Sequence, residues 1–310
     1  MPHRMKRVLV SGGSGFIGRR LVAELTGRGD QVTVLTRDPG KARKHLPERA
    51  RVAAWDPYRL GSWTAELEVV DAVIHLAGEP IATRWTDKVK QRIVASRVDT
   101  TQHLVEAMGA AKHKPKVFVC GSAIGIYGSQ PPDVELDESS PAGSGFLADV
   151  VTRWEEAARG AEALGIRTAE VRTGVGLGEG GGALEKMILP FKLFGGGPVG
   201  TGDQVVSWVH RDDVVGIFLF ALDDDRVTGP INAVSPYPAT SRELAKAIGA
   251  VMNRPSWLKV PSFAVHAAMG EAAQILTEGQ RVVPRKAIEL GYEFRYARLM
   301  PALDSILAHD

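Results

Sequence analysis

Seven residues, GGSGFIG at positions 12–18, constrain this chain more than any other stretch. They follow the valine-rich run RVLVS (7–11) and open the segment FIGRRLVAELTGRG (16–29). Apolar residues at 17, 21, 22 and 25 give that segment helical spacing, and Gly27 and Gly29 mark its end. QVTVLT (31–36) then reads as a second strand. A strand, a glycine turn, a helix and a strand in this order place each glycine in a distinct role. Gly12 permits a tight turn, Gly15 lets backbone N–H groups approach a pyrophosphate, and Gly18 allows close helix–strand packing. The helix N-terminus turns partial positive charge toward the phosphates. The pattern predicts a dinucleotide-binding turn.

The rhythm continues. RVAAW (51–55), DAVIHLAG (71–78), KVFVCGSA (116–123) and RTAEVR (167–172) read as further strands. A long helical stretch from Thr86 to Ala111, and another from Gly143 to about Leu164, separate them. Strands alternating with helices predict an α/β fold, a doubly wound parallel sheet covered on both faces. After Arg172 glycine-rich loops surround a short helix, Ala183 to Leu193. Residues 241–253, 263–276 and 299–308 read as helices and PINAVS (230–235) as a strand. We therefore expect a core over residues 1–175 and a smaller C-terminal α/β lobe over 176–310. Residues 205–225, with the helical HRDDVVGIFLFAL (210–222), should pack back on the core.

Composition narrows the function. Of 310 residues, 44% are apolar and 24% charged, enough for a sizeable core, and the net charge of +2 gives no reason to expect nucleic acid. No charge block or long apolar run points to a membrane partner. One cysteine, Cys120, excludes an intramolecular disulfide, fits a reducing compartment and reads as a buried, inert thiol. The eight histidines form no ligand cluster, so no metal is expected. MPHRMKRVLV breaks too early for a signal peptide, and the expected location is cytoplasmic.

The end of the second strand bears on cofactor choice. A carboxylate there would bind a ribose 2′-hydroxyl; this chain has Thr36 and Arg37, which suit a 2′-phosphate and favour NADP over NAD. Arg19 stands near enough to assist, and Asp38 reads as part of the turn with Pro39. Asp56 either receives the adenine amino group or starts an Asp-Pro turn. Leu76, Ala77 and Gly78 end the fourth strand, where ligands of open α/β sheets bind.

GGSGFIG, HLAG, SAIGIYG and WVHRDDV together resemble the extended short-chain dehydrogenase/reductases, the NAD-dependent epimerase/dehydratase-like superfamily. HLAGEPIATRW, ASRVDTT, RTGVGLGEGGGAL, NAVSPYPATSREL and EGQRVVPRKAIELGYEF resemble an atypical branch with its own C-terminal segment. The resemblance implies an NADP-binding Rossmann core and a small substrate lobe. It places Gly12, Gly15, Phe16, Ile17 and Gly18 on the pyrophosphate, and Thr36 and Arg37 on the adenosine ribose and its phosphate. Leu76 and Ala77 fall beside the adenosine, Arg97 is a further cofactor contact, and Val175 approaches the nicotinamide through its backbone. A homodimer through the helices flanking the fifth and sixth strands is common in that superfamily.

One expected feature is missing. The superfamily uses a tyrosine as acid/base and a lysine four residues on that lowers its pKa. Here the tyrosine slot falls on Phe146 or Leu147 and the lysine slot on Val150 or Val151. The Ser/Thr slot falls on Ala123, with Ser122 one residue early. Tyr127, in the IYG turn, reads as packing. Ser122, Glu79 and His210 are the replacement candidates, with Asp149 behind them. Against these stand bland readings: Glu79 paired with Arg84 or Arg97, His210 a structural histidine, Asp212 an N-cap, Glu155 a surface acid. Two functions follow: an NADP-dependent oxidoreductase or isomerase acting on a small carbonyl or hydroxyl substrate, or a non-catalytic NADP(H)-binding sensor.

Overall fold

The computed structural model describes residues 4–308. Seven strands form the main sheet: β1 (Arg7–Ser11), β2 (Gln31–Thr36), β3 (Arg51–Ala54), β4 (Ala72–His75), β5 (Val117–Ala123), β6 (Arg167–Thr173) and β7 (Gly229–Ala233). Their spatial order is β7-β6-β5-β4-β1-β2-β3, every pair parallel. The order reverses between β1 and β4, which opens a crevice above their C-terminal ends. The principal helices are α1 (Phe16–Gly27), α2 (Asp87–Ala95), α3 (Val98–Ala110), α4 (Phe146–Arg159), α5 (Gly182–Lys192), α6 (Arg211–Asp223), α7 (Ser241–Val251), α8 (Ser262–Met269) and α9 (Leu299–Leu307).

Both faces of the sheet are covered, which is why its inner strands are almost continuously apolar. Val8 and Val10 of β1 face α1 and α6, meeting Leu21, Leu25 and Phe218. Leu9 faces the other way, with Val73 and Phe118, toward Leu104 and Met108 of α3 and Trp154 of α4. Cys120 is buried in that second layer, and burial pushes its thiol pKa up. A separate cluster, with Leu184, Ile188, Trp208, Leu244, Ile248 and Leu303, holds the C-terminal lobe together.

Two sequence expectations change. PINAVS is not a strand of the lobe: Gly229–Ala233 pairs with Ala169–Thr173 and forms the edge of the main sheet. Its Ile231 and Ala233 join the core under α6, burial that a strand in the lobe would not have offered. The stretch 86–111 is also two helices, not one. The break falls at Ser96 and Arg97, whose side chains reach back to the chain after β4. Helix α6 packs on the core against α1, as HRDDVV suggested.

Candidate functional site

The crevice begins at the glycine turn. Gly12 has φ +70°, and a Cβ there would lie 2.6 Å from the Leu76 carbonyl carbon. A Cβ on Gly18 would lie 2.3 Å from the Gly12 oxygen, so helix and turn touch backbone to backbone. Gly15 differs: an added Cβ would meet only the Gly12 oxygen, at 3.3 Å, and its other side is open to the crevice. No side chain caps α1, so its first N–H groups remain available to an anion. The crevice has a volume of about 500 Å³, within the range of nucleotide-sized pockets.

One end is apolar and the other cationic. Trp55, Tyr58 and Leu76 line the apolar part; Thr36, Arg37, Lys41 and His45 line the cationic part. Asp38 also borders it, but its carboxylate is engaged: Oδ1 accepts the Lys41 N–H at 2.9 Å and caps the short helix Pro39–Arg43. Lys41 and His45 escaped the sequence reading, which stopped at the strand end. Their spacing of four from Arg37 was the available signal, since it puts all three on one side of a helical turn. Two candidate contacts are engaged elsewhere. Arg19 points away and donates to the Gly180 carbonyl at 3.0 Å. Asp56 is exposed, its Oδ1 accepting the Tyr58 N–H at 3.0 Å, and so starts the turn and does not line the crevice.

Beyond Ala77 the lining residues Gly78 and Glu79 are backed by a half-buried arginine. The Arg97 guanidinium would stand 3.2 Å from a Cβ on Gly78 and donates to the Glu79 carbonyl at 3.0 Å. Among the described residues no carboxylate hydrogen-bonds it, and burial pulls its pKa down to about 10. Ser96 Oγ accepts the Glu79 N–H at 3.0 Å, which fixes the same loop. The Glu79 carboxylate itself is half-buried at the crevice; its charge acts on Arg97, but no hydrogen bond joins it to Arg84 or Arg97. Arg84 instead donates to Ala267, and Lys90 pairs with Glu271, so both tie this loop to the C-terminal segment.

The relay slots hold packing and no proton donor. Phe146 meets Trp85 edge-on at 5.0 Å between centroids, with Lys90 Nζ 5.1 Å from its ring centre. Val150 is buried in the same cluster, with Leu147, Met269, Ala272 and Ile275 around it. Val151 packs on Ile126 and Tyr127.

Ser122 is buried and donates to Glu155 Oε1 at 2.6 Å. Glu155 takes two bonds from Arg172, at 2.7 and 2.8 Å. Arg172 donates to the Tyr127 hydroxyl at 2.9 Å, which donates to Asn232 at 2.8 Å. Ser122 therefore serves an internal network and is not turned to the crevice. Glu155, expected at the surface, is 1% exposed. It lies four residues after Val151 and three before Ala158, inside the buried stripe of α4, and that spacing was the missed signal.

His210 also has a structural post. It caps α6, its Nδ1 accepting the Asp212 N–H at 3.0 Å; Nε2 lies 3.4 Å from Ser305 Oγ, and the ring stacks on Tyr296 at 4.0 Å. Burial lowers its pKa to about 4. It borders a different recess, with Arg20 and Glu179. The expected cap, Asp212, instead pairs with Arg20 at 2.9 Å. The Val175 N–H is occupied by the Ser207 carbonyl at 2.9 Å, so it is not free for a ligand.

Phe16 does more than flank the turn. Cβ atoms placed on Gly178, Gly181 and Gly182 would come within 2.9, 3.0 and 2.8 Å of its ring. Arg211 covers the ring at 5.3 Å. The glycine-rich loop after β6 is thus a seat for the Phe16 side chain.

Comparison with known proteins agrees with this geometry. Residues 8–244 match the NAD dependent epimerase/dehydratase family, and residues 260–306 match a domain of unknown function, DUF1731. The chain is 40% identical over 309 residues to the Arabidopsis thaliana chloroplastic homologue of epimerase family protein SDR39U1, covering 97% of this chain and 86% of that one. It is 37% identical over 304 residues to the Bacillus subtilis epimerase family protein YfhF, covering 97% and 98%. A crystal structure of human SDR39U1 (isoform 2) with NADPH superposes with a TM-score of 0.88 at 38% identity, covering 98% of this chain and all of that one. The chain belongs to the NAD-dependent epimerase/dehydratase family.

Proposed function

We propose that the chain holds NADP(H) in the crevice and transfers hydride to or from a small carbonyl or hydroxyl compound. Glu79 stands in for the missing tyrosine as the proton-handling group. The observation that carries the cofactor reading is the cationic end: Thr36, Arg37, Lys41 and His45 converge after β2, and the one acid beside them is spent on a helix cap. A 2′-phosphate is the group such a set would neutralise. The NADPH in the human relative's structure supports it. Gly12, Gly15 and Gly18 would receive the pyrophosphate, Trp55 and Leu76 the adenine side, and Arg97 would place a half-buried positive charge beside the cofactor.

When bound, the nicotinamide supplies or accepts the hydride. The chain's own residues must then handle a proton, and Glu79 is the candidate that geometry leaves. Its carboxylate is at the crevice with no hydrogen-bond partner among the described residues, whereas Ser122 and His210 are engaged elsewhere. A second reading, a cofactor-sensing protein without turnover, draws support from the apolar cluster filling the relay slots.

Calorimetric titration with NADPH and NADH tests the cofactor. Tight NADPH binding, weak NADH binding and loss of the preference in Arg37→Ala are expected; equal affinities would overturn it. NADPH oxidation against a panel of small aldehydes and ketones separates the two functions. Turnover lost in Glu79→Gln with NADPH affinity retained supports catalysis. Full NADPH binding without turnover on the panel supports the sensor.

A further inference from the structure

The four most exposed large apolar side chains among the described residues are Leu193 (82%), Phe263 (77%), Trp257 (75%) and Phe194 (61%). Leu189 and Leu258 are exposed beside them. All six come from two segments, the end of α5 with its following loop and the approach to α8. The segments are joined by backbone: the Leu258 N–H bonds Gly196, the Val260 N–H bonds Pro198, and the Gly200 N–H bonds Val260. Arg254 lies 4.5 Å above the Phe194 ring. Phe194 has φ +59°, a left-handed conformation unfavourable for a bulky residue, and its ring is left mostly in solvent. The backbone conformation closes α5, with the Phe194 N–H on the Phe191 carbonyl and the Gly195 N–H on the Pro190 carbonyl, both at 2.9 Å; the exposure of the ring is what that cap does not require.

Within the two segments the charge has one sign. Residues 186–200 and 252–270 contain no Asp or Glu, and they carry Lys186, Lys192, Arg254 and Lys259. Of the flanking acids, Glu271 and Asp203 are paired, with Lys90 and Arg242, and Glu185 sits in the first turn of α5, two helical turns from Leu193. We propose that this face of the C-terminal lobe docks on an anionic lipid bilayer. Its aromatic and leucine side chains would enter the headgroup–acyl boundary while the cations stay at the phosphates. Trp and Phe flanked by Lys and Arg are the residue types that interface favours. Side chains standing this clear of their neighbours also suit a yielding medium better than a rigid protein groove, which needs a matched surface. Sequence periodicity hid the feature, because each segment alone is short and the patch exists only once they pair. Composition argued against a membrane partner; the assembled surface argues for one.

Vesicle co-sedimentation of the full chain tests this. Binding to vesicles of equal phosphatidylcholine and phosphatidylglycerol is expected, with little on phosphatidylcholine alone and a fall with added salt. Lys259→Gln should weaken it about fivefold, the effect of one cation near a charged surface. The double variant Trp257→Ala/Phe263→Ala should abolish it while keeping the wild-type melting temperature, which shows that it is folded. No binding to the anionic vesicles, or equal binding to both compositions, would overturn the proposal. So would a lipid-free dimer in sedimentation velocity that Trp257→Ala dissociates, since the patch would then join two copies of this chain.

Discussion

The Glu155–Arg172 pair offers the sharpest test of how the sheet and α4 are joined. Both side chains are nearly buried, 1% and 7% exposed, and two charge-assisted bonds connect them. Burial works against the Arg172 charge, and the bonds to Glu155 more than reverse it, so its pKa is raised. Glu155→Leu removes three hydrogen bonds at once, two from Arg172 and one from Ser122. It leaves a guanidinium with only the Tyr127 hydroxyl for company. Breaking a buried pair from one side costs about 3–5 kcal/mol, because a charge is stranded without solvent. Arg172→Met strands the carboxylate, with Ser122 and the more distant Arg159 as its remaining partners, and should cost a similar amount. The double variant removes both charges and should cost less than either single, for a coupling above about 3 kcal/mol. Urea unfolding followed by circular dichroism measures all four corners of the cycle. Single variants within about 1 kcal/mol of wild type, or a strictly additive double, would refute the argument.

Three further outcomes are expected. Burial lowers the pKa of His75 to about 3 and that of His210 to about 4, against an ordinary value of 6.5. The unfolded chain then binds protons the native one does not, so stability should fall as pH drops below 6.5, by up to ~1.4 kcal/mol per pH unit for each histidine; urea midpoints between pH 7 and 4 check this, and a flat profile contradicts it. Thr240 and Glu243 form a reciprocal cap at the start of α7, and Thr240→Ala should cost about 1 kcal/mol in the same assay. Gly12→Ala sets a Cβ against the Leu76 backbone at positive φ, so it should lower the melting temperature and abolish NADPH binding seen by calorimetry.

Much of the core was legible because it rests on local pattern. Short valine-rich segments marked β1, β2 and β5, and the glycines marked the turn, since backbone contact at Gly12 and Gly18 allows little else. What escaped depends on contacts between distant residues. No local signal told that Gly229–Ala233 pairs with β6 and not within the lobe, because a short apolar strand fits either place. Ser122 and His210 carry chemistry-bearing groups at the right points of the chain, yet their partners, Glu155 and Ser305, arrive from 33 and 95 residues away and occupy them. Lys41 and His45 were missed for a smaller reason, a short helix after β2 that brings them back over the crevice.

The seat of Phe16 has a consequence for how this chain can change. Its ring fills the space that side chains at positions 178, 181 and 182 would need, so none of the three can grow while the phenyl group stays. Trimming the ring alone opens a void and frees the loop that Arg211 and Arg19 fasten through Glu179 and Gly180. The first helix and a loop 160 residues later are therefore bound to vary together. A successful redesign of one would have to rewrite the other in the same step.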